Sequence, residues 1–86
     1  MISEDILNRY RNMIFENSDG LLVPKCDINN PTSPNHLIWM LDEMSNMDGT
    51  KVHRWLGYMQ GILISQGITT VKAEGDYTRS YFKENL

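Results

Sequence analysis

With 86 residues, 11 acidic and 8 basic side chains, a net charge of −3 and a single cysteine, the chain has the size of one small domain and no means of forming an internal disulfide. That balance argues against sequence-independent binding to nucleic acid, which needs basic surface to displace counterions. No apolar run approaches the roughly 20 residues of a membrane span, and the opening MISEDILNRYR lacks the basic-then-apolar order of a signal peptide. A soluble cytoplasmic protein is therefore the expectation. A chain this short buries a thin core, and without a disulfide the expected support is a homodimer or a higher assembly.

Helical spacing predicts a first helix over residues 1–17. Ser3 is the expected N-cap, with Glu4 and Asp5 where the helix dipole favours negative charge. Ile6, Leu7, Tyr10, Met13 and Ile14 share one face, and Glu4, Arg9, Arg11 and Asn12 fill the other. Asn17-Ser18-Asp19-Gly20 reads as a turn. Residues 18–32 are a loop containing the short apolar run Leu21 to Pro24, with no strand partner in view.

Residues 33–67 form the expected centre of the fold, a helical hairpin. Ser33 is a good N-cap, and Pro34 suits the first helical position because no amide hydrogen is needed there. Leu37 to Leu41 is apolar on every side, which predicts burial on more than one face. Asp48-Gly49 makes the turn, and Thr50 or Asp48 is the expected cap of the next helix. In that helix Val52, Trp55, Leu56, Met59, Ile62 and Leu63 form an inward stripe. A second stripe runs through His53, Gly57, Gly61 and Ser65. Two glycines cost about 1 kcal/mol each relative to alanine in a helix interior, and close approach of another helix over them is the structural explanation. Gly67 suits the left-handed position that ends a helix, with Ile68 placed to touch Leu63. Thr69 or Thr70 caps a C-terminal helix within 69–86, with Val71, Thr78, Tyr81 and Phe82 inward and a kink or break at Gly75-Asp76. The fold class is thus all-α, a small bundle of three or four helices.

Catalytic and metal chemistry find little support. His36 and His53 lie on different helices with no ligand-pair spacing, so a zinc site would need both to converge with Cys26 and a carboxylate. Cys26 lies between Lys25 and Asp27, whose opposite charges give no clear activation, and no nucleophile signature surrounds it. Asp42, Glu43, Asp48, Glu74 and Asp76 are spread along amphipathic helices as solvated carboxylates are. The expectation is a non-enzymatic protein with no cofactor and no metal.

The densest constellation is K-V-H-R-W-L-G-Y-M-Q-G. Lys51, Arg54 and Tyr58 share a face, with His53, Gly57, Gln60 and Gly61 beside it. A cation for phosphate, an aromatic for stacking and an amide for base edges would make this a nucleotide surface. The simpler alternative is a solvated face, with Arg54 paired to Asp42 or Asp48 across the hairpin. Trp39, Met44, Trp55 and Met59 are the expected anchors of the core or of an interface, where Trp and Met are enriched.

S-P-N-H-L-I-W-M, then K-V-H-R-W-L-G-Y-M-Q-G-I-L, then Q-G-I-T-T-V give the order and spacing by which residues 33–82 resemble a group of small phage and prophage proteins. The tail of that pattern corresponds to Glu74, Asp76, Thr78, Arg79 and Phe82. The resemblance implies an accessory protein that acts by binding. Host enzymes, defence components and signalling nucleotides are the implied targets, and counter-defence or host takeover the implied setting. Two expectations follow: binding and modulation of a host or defence macromolecule, or sequestration of a nucleotide or cyclic nucleotide.

Overall fold

The computed structural model of the protein describes residues 2–84, with side chains through residue 81. The helices are α1 (Glu4–Glu16), α2 (Pro34–Met44), α3 (Thr50–Ser65) and α4 (Val71–Glu84), and the described residues contain no strand. The all-α bundle expected from the periodicity is the fold observed.

The periodic stripes become the core. Ile6, Leu7, Tyr10 and Ile14 of α1 meet Leu37, Ile38, Leu41 and Met44 of α2 and Val52, Leu56, Met59 and Leu63 of α3 in one buried cluster. Each large aliphatic side chain so buried contributes about 1.5–3 kcal/mol. Helix α2 is the pivot: it packs on α1 as well as on α3, and its α1 contact is the more extensive. The α2/α3 hairpin supplies nine of the fourteen buried apolar side chains of this cluster, and α1 packs on α2 to complete it. This two-sided packing buries Leu37, Ile38, Met40 and Leu41, while Trp39 stays half-buried.

Several helix ends match their sequence signals. The Ser33 side chain accepts the His36 amide hydrogen at 3.2 Å, with Pro34 at the first helical position. Gly67, at φ 75°, carries a full Schellman closure: the Ile68 N–H donates to Leu63 O at 2.9 Å and the Gly67 N–H to Ile64 O at 3.0 Å. Thr70 caps α4 by accepting the Ala73 amide hydrogen at 3.1 Å.

Other ends differ. Ser3 holds the N-cap position of α1 but makes no side-chain cap bond; its hydroxyl instead accepts from Tyr81 at 2.5 Å, tying α4 to the start of α1. The N-cap position of α3 is held by Gly49, at φ 77°, rather than by Asp48 or Thr50. Helix α4 runs through Gly75-Asp76 without a break, aided by ion pairs from Asp76 to Lys72 (2.7 Å) and Arg79 (2.6 Å). Val71 points outward, 72% exposed, while Thr78 and Tyr81 are half-buried as expected. The side chain of Phe82 lies outside the described residues.

The segment between α1 and α2 is held against the hairpin by specific bonds. Val23 N–H donates to Asn35 Oδ1 (3.0 Å), Lys25 N–H to Asn35 O (3.2 Å) and Asp27 N–H to His36 Nδ1 (2.9 Å). From α3, the Tyr58 hydroxyl donates to Pro31 O at 3.2 Å, and Gln66 Nε2 donates to Thr32 O at the same distance. The loop therefore crosses both arms of the hairpin and contributes residues to its surface.

Candidate functional site

That crossing creates a surface cleft of about 360 Å³. Its walls are Cys26 and Ile28 from the loop, His36, Trp39 and Met40 from α2, and Trp55 and Tyr58 from α3. The volume falls near the lower end of the range for small-ligand pockets. The aromatic walls touch in sequence: the His36 and Trp39 ring centroids are 5.3 Å apart, and the Trp39 and Trp55 centroids 5.9 Å apart, both pairs tilted. Such tilted pairs add a modest packing energy beyond area burial. Ile28 is 80% exposed and Tyr58 40%, so the lip of the cleft is apolar as well. The Lys51 ammonium lies 5.4 Å from the Trp55 ring centroid, a cation–π contact at the edge.

His36 is buried, and its ring is oriented by a main-chain donor rather than a carboxylate, because Nδ1 accepts from Asp27 N–H. In the neutral ring the proton therefore resides on Nε2. Cys26 and His36 both line the cleft, but the bond that would pair His36 with a carboxylate goes to the backbone instead. Among the described residues no group of three or more His, Cys, Asp or Glu is placed to hold a metal ion, and none of their helices is long and apolar enough to cross a membrane.

The residues singled out on α3 separate into three environments. Lys51, Trp55 and Tyr58 belong to the cleft or its edge, and Trp39 joins them from α2. His53, Arg54, Gly57 and Gly61 lie on the exposed surface. A Cβ at Gly57 or Gly61 would meet nothing within 4 Å, so no helix of this chain covers the glycines and the expected close approach is not made. Met44 and Met59 are fully buried in the core. Arg54 pairs with neither Asp42 nor Asp48; Asp42 binds Arg11 at 3.3 Å.

Gln60 faces away from this surface. Its Nε2 donates to the Tyr10 hydroxyl and to Thr78 Oγ1, each at 3.0 Å, placing it in a buried polar cluster between α1, α3 and α4. At the centre of that cluster is Glu74, 3% exposed. It accepts from Tyr10 Oη at 2.5 Å, from Arg9 Nη1 at 2.9 and 3.1 Å, and from Thr69 Oγ1 at 2.7 Å. Burial alone would raise the Glu74 carboxyl; the bonds from Tyr10, Thr69 and Arg9 outweigh it and hold the group below the usual carboxylate range. Burial, then the bond to Glu74, push the Tyr10 phenol well above its ordinary value. The Arg9 guanidinium also stacks 4.0 Å from the Tyr77 ring centroid. This cluster fastens α4, whose apolar side chains are otherwise at most half-buried among the described residues. Glu74 is therefore structural and not a solvated carboxylate.

The loop contributions from Cys26 and Ile28 carry no sequence signal of their own. His36 and Trp39, one helical turn apart, do: their spacing places both on one side of α2, directed away from the Leu37/Leu41 core stripe.

The chain matches no family model, no curated protein and no solved structure.

Proposed function

We propose that the protein is a non-enzymatic binding module that engages a partner protein through the cleft between the loop, α2 and α3. The observation that carries this reading is the composition of the cleft. Two tryptophans, a tyrosine, a methionine and an exposed isoleucine converge on a space that admits a large apolar side chain. Aromatic and Met side chains around a pocket are what protein-interface anchors seek. The resemblance to small phage and prophage proteins supports a host or defence protein as the partner, met in the cytoplasm. The open Gly57/Gly61 surface and the thin core leave self-association as a companion expectation.

The nucleotide reading draws on Lys51, Arg54 and Tyr58, but its amide is engaged elsewhere, since Gln60 spends both donor bonds on Tyr10 and Thr78. Buried side-chain polar atoms among the described residues all have partners, so none is left aimed at a polar ligand. These two facts favour the apolar, protein-facing alternative.

Cys26 is the chain's one cysteine and lines the cleft, which permits a direct test. A photo-crosslinker attached there is expected to capture one defined protein from cell lysate. The same reagent at Ser80, exposed on α4, in a Cys26→Ser background is expected not to capture it. Equal capture from both positions, or a thermal shift with a nucleotide that Arg54→Ala abolishes, would contradict the proposal.

A further inference from the structure

The distribution of unpaired charge around the cleft says more about the partner. Four of the described basic residues are paired within the chain: Arg9 with Glu74, Arg11 with Glu4 and Asp42, and Lys72 and Arg79 together with Asp76. The remaining lysines and arginines whose side chains are described are Lys25, Lys51 and Arg54, and none of the three is in an ion pair. One of them touches a cleft wall, and the other two are adjacent in the chain to lining residues. Lys25 is exposed and precedes the lining residue Cys26, Lys51 lies over the Trp55 ring, and Arg54 is exposed one helical turn before Tyr58. The carboxylates nearest to lining residues in sequence are Asp27 and Asp42, and Asp42 is already bound to Arg11.

Cations left unpaired in a chain of net charge −3 are not placed to balance their own neighbours. Here they accompany the chain segments that build an apolar cleft. We infer that the cleft selects an acidic segment of its partner, an apolar side chain flanked by Asp or Glu. The anchor fills the space between Trp39, Trp55 and Tyr58, and the flanking carboxylates meet Lys25, Lys51 and Arg54. Charge complementarity of this kind governs specificity and association rate more than raw affinity, and salt screens it. The inference rests on the partner-protein reading above and adds the partner's chemistry to it.

Both tryptophans of the chain line the cleft, so intrinsic tryptophan emission reports this site directly. The test titrates the full chain with three mixtures of tryptophan-free nonapeptides carrying a central Phe or Leu. Flanking positions are all Asp/Glu, all Ser/Gly or all Lys, and a thymidine oligonucleotide is a fourth probe. The acidic mixture is expected to saturate the emission change at about tenfold lower concentration than the neutral one. That advantage is expected to vanish near 0.5 M salt and in the Lys51→Glu/Arg54→Glu variant, whose fold is checked by its urea midpoint. Equal response to acidic and neutral peptides would overturn the inference and leave the apolar cleft standing. No response to any peptide would overturn both, and a stronger response to the oligonucleotide would overturn the inference in favour of nucleic acid.

Discussion

Replacing Glu74 with alanine should cost this protein far more than loss of an ordinary surface carboxylate. Glu74 is 3% exposed and accepts from three donor groups on α1 and on the segment leading into α4. Removing one member of a buried charged pair costs about 3–5 kcal/mol when the other is left stranded. Here the stranding is partial, because the Arg9 side chain is 24% exposed and water can reach it. The Tyr10 hydroxyl has no such relief. It is buried and would keep the bond it receives from Gln60 while losing its only acceptor, a further cost of about 1–3 kcal/mol. Together these put the loss near 3 kcal/mol, a large share of the ~4–13 kcal/mol typical of a chain this long. Urea unfolding followed by helical circular dichroism measures it directly, and the melting temperature should fall by about 12–24 °C. A Tyr10→Phe variant should lose less, and the double variant should show clear coupling between the two sites. Loss below about 1 kcal/mol would place Glu74 with exposed ion pairs and refute its role in holding α4.

The same carboxylate sets the acid response. Its native value lies below the unfolded one, so its contribution is present above about pH 4.3 and is lost as pH falls through the lower native value. Wild-type protein should therefore lose stability on acidification through that window, and Glu74→Gln should lose less; urea midpoints against pH check this. Gly57→Ala and Gly61→Ala should each stabilise the monomer by about 0.5–1 kcal/mol, since nothing of this chain lies within 4 Å of the added methyl. Destabilisation, or a change in mass by light scattering, would show a second chain on that surface. Gly67→Ala should cost about 1–2 kcal/mol, because the Schellman closure requires φ 75° there, and Ser33→Ala about 1 kcal/mol through loss of the α2 cap; both are read from urea midpoints.

Features set by neighbours in the chain were legible in the sequence. Ser33-Pro34 starts α2 and Gly67 ends α3 because capping is decided within one turn. The stripes of α1 and α3 fill the core because helical period alone puts them on one face. What depended on distant partners was not legible. Glu74 shares a helical face with Thr78 and Tyr81, a hint of burial, but its meaning comes from Arg9 and Tyr10, more than 60 positions away. Ser3 has the right type and place for a cap, yet Tyr81 at the other end of the chain takes its hydroxyl. The candidate site was legible in its α3 half. Lys51, Trp55 and Tyr58 are in place, whereas the wall formed by Cys26 and Ile28 exists only because the loop is pinned to Asn35 and His36. Helical spacing puts Gln60 beside Gly57 and Gly61, but its side chain bonds to Tyr10 and Thr78 on α1 and α4, partners too distant in the chain to be read from spacing.

The central claim is that the aromatic cleft is where this protein meets its partner. Its most direct test is a ¹H–¹⁵N spectrum of the chain with and without the protein captured through Cys26. The two indole N–H signals of Trp39 and Trp55 should shift on binding, while the Gln60 side-chain amide and the Thr78 backbone amide stay in place. Shifts confined to α1 and α4, with both indole signals unmoved, would contradict it.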